Sequence, residues 1–251
     1  MSMKTFIALV LLVALSGCAT ARRERMVWRV KDVVLAESPV VNFGGAGDTV
    51  MASIPTRLLQ ELMLAHLRIS RSAGITAELL LTDGDDPNAF AGMLSDRPVI
   101  GINLGMVKLI GENINEYAAL LGHEAAHWAK GHIDATRLRR STLEVIGTVV
   151  SAGLGAGGVL GAGTLAGLGL SMIDASYSRD QEREADAAGI DYVVANNYDP
   201  TGAVTLFEKM IQQAKGPRVP FLASHPSDQE RLENIKALID AKKSLAGAPA
   251  P

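Results

Sequence analysis

Apolar residues recur at helical spacing early in the chain and then gather in short runs between turns. Leu58, Leu59, Leu62 and Ile69 share one helix face, which predicts an amphipathic helix from about residue 55 to Gly74. Turn residues then separate three predicted strands, over residues 75–82, 89–94 and 99–104. A small sheet is therefore expected after the first helix.

The second half of the chain is predicted to be mainly helical. Asn115 can cap a helix over residues 116–130, and a capping box at residues 178–181 opens another that runs to about residue 195. A third helix begins at Asp199 and Pro200, and residues 227–230 cap a fourth that runs to about residue 243. The expected fold class is α+β and predominantly helical, with the small sheet packed on the helices.

Composition predicts a single core and disfavours a polyanionic partner. A chain of 251 residues with 48% apolar residues is expected to form one domain, which we place at residues 51–245. A lead-in over residues 18–50 precedes it and a disordered tail over residues 246–251 follows it. Because the chain has 24 basic and 27 acidic residues, no basic surface is expected, and nucleic acid is not expected as a partner.

The N-terminus has the features of a secretory signal. Lys4 precedes an uncharged apolar run over residues 5–15, and small residues then lead to Cys18, the only cysteine in the chain. This segment resembles the bacterial lipobox, which predicts a signal peptide over residues 1–17 and lipidation of Cys18. Ordinary cleavage after residues 19–21 is the alternative. Because Ala19 follows the cysteine, we expect a lipid-anchored protein on the outer membrane that faces the periplasm.

A paired-histidine motif lies in the helix predicted over residues 116–130. His123 and His127 stand four positions apart, so both imidazoles lie on one helix face and can reach one cation. Two neutral histidines and a carboxylate suit zinc, and three protein ligands leave a position open for water, as in catalytic sites. Glu124 is then the candidate catalytic base. The alternative is a chance match in a helix that binds no metal. His132, at the helix end, is expected to contact exposed carbonyl groups and is not counted as a ligand.

The third ligand is expected on the helix that the capping box opens. Glu182 and Asp186 lie four positions apart on one face, so one carboxylate can bind zinc while the other accepts the N–H of a ligating histidine. Glu184 lies about 200° around the helix from Glu182 and cannot face the same metal. The alternative for Glu182 and Glu184 is favourable charge at a helix N-terminus.

Four ordered motifs resemble those of peptidase family M48, which includes HtpX, the type I CAAX prenyl proteases and periplasmic members such as BepA and LoiP. The motifs are residues 87–90, residues 116–127, residues 178–186, and His225 with Arg231, and the resemblance covers about residues 75–238. It implies a zincin-like fold of the gluzincin type with one Zn²⁺ per chain. It also implies that Glu182 is the zinc ligand, because the first glutamate of the family's E-x-x-x-D element has that role.

The resemblance implies further site residues. Asn88, Ala89 and Phe90 match an edge strand near the cleft that can pair with an extended peptide, although core packing of Phe90 is the alternative. His225 is implied to lie near the zinc, as an oxyanion stabiliser or as a resting fourth ligand, with an exposed loop histidine as the alternative. Arg231 can support the transition state or lie on a helix surface.

A glycine-rich segment over residues 145–173 contains no charge and no proline. Its length permits a membrane span, but nine glycines disfavour one helix in water by about 9 kcal/mol. We expect a helical hairpin packed near the active site, with a membrane span as the alternative.

These features predict a zinc-dependent endopeptidase of the bacterial cell envelope that acts on protein substrates. The resemblance implies that misfolded or misassembled envelope proteins are hydrolysed. The alternatives are an envelope assembly chaperone or scaffold with a vestigial metal site, and an integral membrane protease.

Overall fold

The computed structural model describes most of the predicted domain. The described residues are 26–44, 50–94, 96–135, 170–172, 177–213, 220–225 and 229–246. The predicted signal peptide, Cys18 and the predicted tail beyond residue 246 lie outside them. Residues 145–169 and 173 of the glycine-rich segment also lie outside.

Helices make up most of the described structure. In chain order they are α1 (Val30–Val33), α2 (Thr56–Ala73), α3 (Leu104–Ile110), α4 (Ile114–Ala129), α5 (Arg179–Ala195), α6 (Thr201–Gln213), α7 (Pro220–Ser224) and α8 (Gln229–Ala246).

The strands form one mixed sheet and one separate hairpin. The sheet has the order β1 (Val27–Arg29), β4 (Glu78–Thr82), β6 (Arg97–Asn103), β5 (Ala89–Leu94) and β7 (Leu170–Met172). Only the β4–β6 pair among these described strands is parallel, and β2 (Val40–Gly44) pairs with β3 (Val50–Pro55) in the hairpin. The predicted α+β, mainly helical architecture with a small sheet is confirmed.

Local sequence features predicted several element boundaries correctly. Gly74 ends α2 in the left-handed conformation (φ 66°), which glycine adopts without steric cost. The Ser178 hydroxyl accepts from the Gln181 backbone N–H, and the Gln181 side chain accepts from the Ser178 N–H, so the predicted capping box opens α5. The predicted cap of α4 is wrong by two residues, because Asn113 rather than Asn115 accepts the hydrogen bond at its N-terminus.

Several described elements were not predicted by the pattern, among them α1, α7 and the β2–β3 hairpin; β1 and α3 are two more. The strand β1 lies in the expected lead-in, and Trp28 pairs with Leu81 of β4, so this segment extends the sheet rather than preceding the fold. Helix α3 begins where the third predicted strand ends, because the Asn103 side chain accepts from the Met106 N–H and caps it.

Helix α4 lies at the centre of the described fold and packs against α2, the sheet, α5 and α6. Its side chains Tyr117, Leu121 and Ala125 are fully buried in the main core. At its N-terminal end the buried Glu116 carboxylate accepts hydrogen bonds from Lys209, Thr205 and Asn113. These bonds anchor α4 to α6 and fix the helix that carries the histidine motif.

The α4 and α5 backbones touch where two glycines face each other. A Cβ on Gly122 would lie 2.8 Å from the Gly189 carbonyl oxygen, and one on Gly189 would lie 2.9 Å from the His123 nitrogen. Any side chain at either position would push the helices apart. The glycine pair therefore sets the distance between the two helices on which the metal ligands were predicted.

The described part of the glycine-rich segment is a strand. Leu170–Met172 form β7, which pairs antiparallel with the C-terminal half of β5. The predicted helical hairpin is therefore wrong at these residues, which pair with the β5 edge instead. The low helix propensity of the neighbouring glycines agrees with this. No helix among the described residues combines the length and apolar character that a bilayer crossing requires.

Candidate metal centre

Helix α4 presents both histidines of the motif to one buried point. The Nε2 atoms of His123 and His127 lie 3.1 Å apart, and both side chains are buried. The His123 Nδ1 donates to Asp186 Oδ1 at 2.9 Å, because a carboxylate can only accept. This bond leaves the Nε2 lone pair of His123 directed at the centre, as metal binding requires.

Helix α5 brings the predicted third ligand to the same point. Glu182 Oε1 lies 3.4 Å from His127 Nε2, and Oε2 lies 3.5 Å from His123 Nε2. Burial by itself raises the pKa of Glu182, but hydrogen bonds with His127 and His225 outweigh it and hold that pKa far below its usual range. The carboxylate is therefore ionised and available as a ligand.

His225 is buried beside the same three side chains. Its Nδ1 lies 3.1 Å from His123 Nε2 and 3.0 Å from Glu182 Oε1. Its ring stacks on Phe221 at 4.3 Å, and only 2% of the residue is exposed, which is inconsistent with an exposed loop histidine. One ligand atom from each of His123, His127, Glu182 and His225 fits within 4.8 Å of the others.

Arg231 lies behind the ligands rather than on a helix surface. Its Nε donates to Asp186 Oδ2 at 2.6 Å and its Nη2 to Oδ1 at 2.8 Å, while Nη1 pairs with Glu182 Oε2. Burial raises the pKa of Asp186, but the paired guanidinium outweighs this and holds it below its usual value. In this geometry Arg231 fixes the carboxylates of Glu182 and Asp186.

Glu124 is buried without a partner for its carboxylate. Neither oxygen has a hydrogen-bond partner among the described residues, and His225 Nε2 lies 3.5 Å from Oε1. Burial raises the pKa of Glu124 above its usual value. An unpaired buried carboxylate is costly for stability, so a functional role is the better explanation of its presence.

The charges of the group fit one divalent cation. When all three are ionised, Glu124, Glu182 and Asp186 carry three negative charges, and Arg231 is the one buried arginine among the described residues. Its guanidinium pairs with Glu182 and Asp186. A buried excess of two negative charges is unfavourable unless a cation compensates it. The neutral imidazoles and the carboxylate of this group form a ligand set that suits zinc.

Comparison with known proteins decides the family. A sequence model described as Peptidase family M48 matches residues 31–239, which is most of the chain. The chain belongs to peptidase family M48. The resemblance predicted from the four motifs is therefore confirmed, and membership agrees with the predicted metallopeptidase class and with one zinc ion per chain.

Relatives of this M48 chain include several named metalloproteases. Metalloprotease LoiP of Escherichia coli (strain K12) is 30% identical over 161 residues, which are 62% of this chain and 60% of LoiP. The Beta-barrel assembly-enhancing protease of the same strain is 25% identical over 205 residues, 76% of this chain and 40% of that protein. Mitochondrial metalloendopeptidase OMA1 of Schizosaccharomyces pombe is 29% identical over 194 residues, 76% of this chain and 55% of OMA1. The match thus spans about half the length of these relatives.

The expected edge strand of the M48 chain is only partly an edge. Strand β7 pairs with Gly92–Leu94 of β5, so among the described residues only the half at Ala89–Ala91 has no second strand beside it.

The Phe90 side chain is buried over Gly101, where an added Cβ would lie 2.2 Å from the ring, and this agrees with the core-packing alternative. The Asn88 backbone N–H donates to Asn103. Ala91 packs in one cluster with Tyr177, whose ring stacks on His127 at 3.7 Å, so this half of β5 lies near the metal site.

Sequence reasoning missed two residues beside His127 in this M48 site. Tyr177 precedes the capping box and gave no local signal. His132 is not directed at the carbonyl groups of the helix end. Its Nδ1 lies 3.0 Å from His127 Nδ1, and the left-handed Gly131 (φ 69°) turns the chain back to place it there. The five-residue spacing from His127 was the available signal.

Proposed function

We propose that this chain is a zinc metalloendopeptidase with a zincin-like fold of the gluzincin type. The single observation that carries the proposal is the convergence of His123, His127 and Glu182, from two helices, beside an unpartnered buried Glu124. A vestigial site in a chaperone or scaffold is not favoured, because a decayed site has no need to keep the unpaired Glu124 carboxylate.

The protein's own residues supply positioning and proton transfer. A zinc ion held by His123, His127 and Glu182 supplies Lewis-acid polarisation of the scissile carbonyl and of the attacking water. Glu124 accepts one proton from that water as its oxygen attacks the carbonyl carbon. It then delivers the proton to the amine nitrogen as the C–N bond breaks, so no net proton is gained or lost. A carboxylate whose pKa is raised by burial is suited to both steps.

The same geometry suggests two further roles. His225 would hold the metal as a fourth ligand at rest, or would stabilise the developing oxyanion during catalysis. The unpaired half of β5 is assigned to an extended substrate, which adds a strand beside Ala89–Ala91. Backbone pairing of this kind suits a protease with loose sequence preference.

Casein digestion with and without a chelator tests the activity. We expect the zinc-loaded protein to cleave casein, the chelated protein to be inactive, and added zinc to restore cleavage. The Glu124→Gln protein, which is expected to be inactive, is prepared in parallel and controls for contaminating proteases. Cleavage that persists in full after complete metal removal would rule out the proposal.

The site of action is proposed to be the bacterial cell envelope, with misfolded or misassembled envelope proteins as substrates. The signal-like N-terminus with Cys18 supports this, as do relatives named LoiP and Beta-barrel assembly-enhancing protease. We propose a lipid anchor at Cys18 in the outer membrane, with the catalytic domain in the periplasm.

Alkaline carbonate extraction of membranes tests the anchor. The wild-type protein is expected to stay in the pellet and the Cys18→Ala protein to be released, because the acylated Cys18 would be its membrane attachment. A Cys18→Ala protein that remains in the pellet would contradict the lipid anchor and favour a membrane span by residues 145–173. A Ser16→Ala protein, changed within the signal but not at the acylated position, is the control.

A further inference from the structure

The buried side of His127 contacts a second histidine rather than a carboxylate. His127 Nδ1 and His132 Nδ1 lie 3.0 Å apart, and the two rings are inclined by 65° with centroids 5.1 Å apart. Two nitrogens at this distance form a hydrogen bond only if one of them carries the proton. The contact therefore leaves two possible proton arrangements, and only one of them is compatible with metal binding.

The contact that His132 makes with Glu184, through the nitrogen that faces away from His127, decides between these arrangements. Its Nε2 lies 3.3 Å from Glu184 Oε2, and the other oxygen of Glu184 is held by Lys130 Nζ at 3.4 Å. An ionised carboxylate only accepts, so His132 Nε2 carries the proton and its Nδ1 presents a lone pair. His127 Nδ1 must then donate, and the His127 Nε2 lone pair faces the centre.

We propose that His132 and Glu184 are positioning residues that hold His127 in its zinc-binding tautomer. The two zinc-binding histidines thus each have a carboxylate on α5. Asp186 serves His123 directly, whereas Glu184 serves His127 through His132. Glu182 and Glu184 lie within one turn of α5 but point to different sides of the helix, so this turn supplies both a ligand and a support for another ligand. This inference rests on the zinc site of the proposed function.

Zinc affinity, measured by chelator competition at fixed pH, is the first test. Loss of an outer hydrogen-bond partner typically weakens metal binding by about 10-fold to 100-fold, and we expect His132→Ala to fall in that range. His132→Asn is expected to stay close to wild type, since its Oδ1 is bonded to Cγ as Nδ1 is and can accept from His127. Glu184→Ala is expected to lose less than His132→Ala, because water can replace an exposed carboxylate.

Controls separate positioning from folding. Asp180→Ala changes an exposed carboxylate on the same helix and should bind zinc as wild type does. The melting temperature of each apo-protein is measured beside the affinity. If the role of His132 were purely structural, His132→Ala would lower the melting temperature and His132→Asn would not restore zinc affinity. That result would overturn the proposal.

The proton positions can be read directly. Imidazole ¹H–¹⁵N correlation spectra of the zinc-loaded protein distinguish the tautomers of its five histidines, with each ring assigned by substitution. We expect His132 protonated at Nε2 and His127 protonated at Nδ1. The opposite arrangement, or zinc affinity of His132→Ala within about two-fold of wild type, would overturn this inference alone. A wild-type protein that binds no zinc would overturn the proposed function as well.

Discussion

Replacing Glu124 with glutamine is expected to abolish peptide hydrolysis while the protein keeps its full zinc content. General acid–base catalysis typically contributes about 10²-fold to 10⁴-fold, so kcat/KM should fall by about that factor, which corresponds to roughly 3 to 5 kcal/mol. Zinc is retained because the expected ligands are His123, His127 and Glu182, and the amide has the shape of the carboxylate it replaces.

The same substitution should raise the melting temperature of the apo-protein, although it lowers activity. Since the Glu124 carboxylate is buried without a hydrogen-bond partner, a neutral amide removes the cost of an unpaired charge, and the apo-protein should melt at a higher temperature. Glu112→Gln, which alters an exposed carboxylate just before α4, is the matched control and should leave activity, zinc and melting temperature unchanged. Undiminished activity of Glu124→Gln would refute the role of Glu124 as the base.

Gly189→Ala is expected to destabilise the protein and weaken zinc binding together. The new Cβ would lie 2.9 Å from the His123 nitrogen and 3.0 Å from the Gly122 carbonyl carbon, and backbone atoms cannot rotate away from it. Overpacking costs about 1 to 3 kcal/mol, and the higher helix propensity of alanine returns only about 1 kcal/mol. We therefore expect a net loss of about 1 kcal/mol, and at most about 2 kcal/mol, in the free energy of unfolding of the apo-protein.

Gly189→Ala is expected to weaken zinc binding because it moves Glu182 on α5 relative to the two histidines on α4. Glu182 lies two turns from Gly189 on α5, and metal ligands tolerate displacements of only about 0.5 Å. Denaturant unfolding and chelator competition on Gly189→Ala measure the two effects. Asp191→Ala, an exposed substitution two residues along the same helix, is the control. A Gly189→Ala protein that is as stable as wild type, with unchanged zinc affinity, would show that the helix contact does not set the site.

Features with a local cause were predictable from the sequence. The helix face shared by His123 and His127, the capping box at Ser178 and the glycine that ends α2 each depend on residues within a few positions of one another. The four-residue spacing of Glu182 and Asp186 also placed both carboxylates on the side of α5 that faces α4.

Features set by distant contacts were not predictable in this way. The contact of Gly122 with Gly189 joins positions 67 residues apart, and nothing in either helix's own pattern indicates it. His225 is buried because Phe221 stacks on its ring and Glu182 accepts from it, whereas its sequence context suggested a loop. His132 was assigned to a helix end on local grounds, but Gly131 turns it towards His127.

Metal analysis of the purified wild-type protein beside Glu182→Ala tests the central claim most directly. Two histidines of α4 and one carboxylate of α5 are predicted to bind one zinc ion, so wild type should contain about one equivalent per chain and Glu182→Ala far less. Asp180→Ala, on the same helix but exposed, should match wild type. A full equivalent of zinc in Glu182→Ala, or none in wild type, would contradict the account.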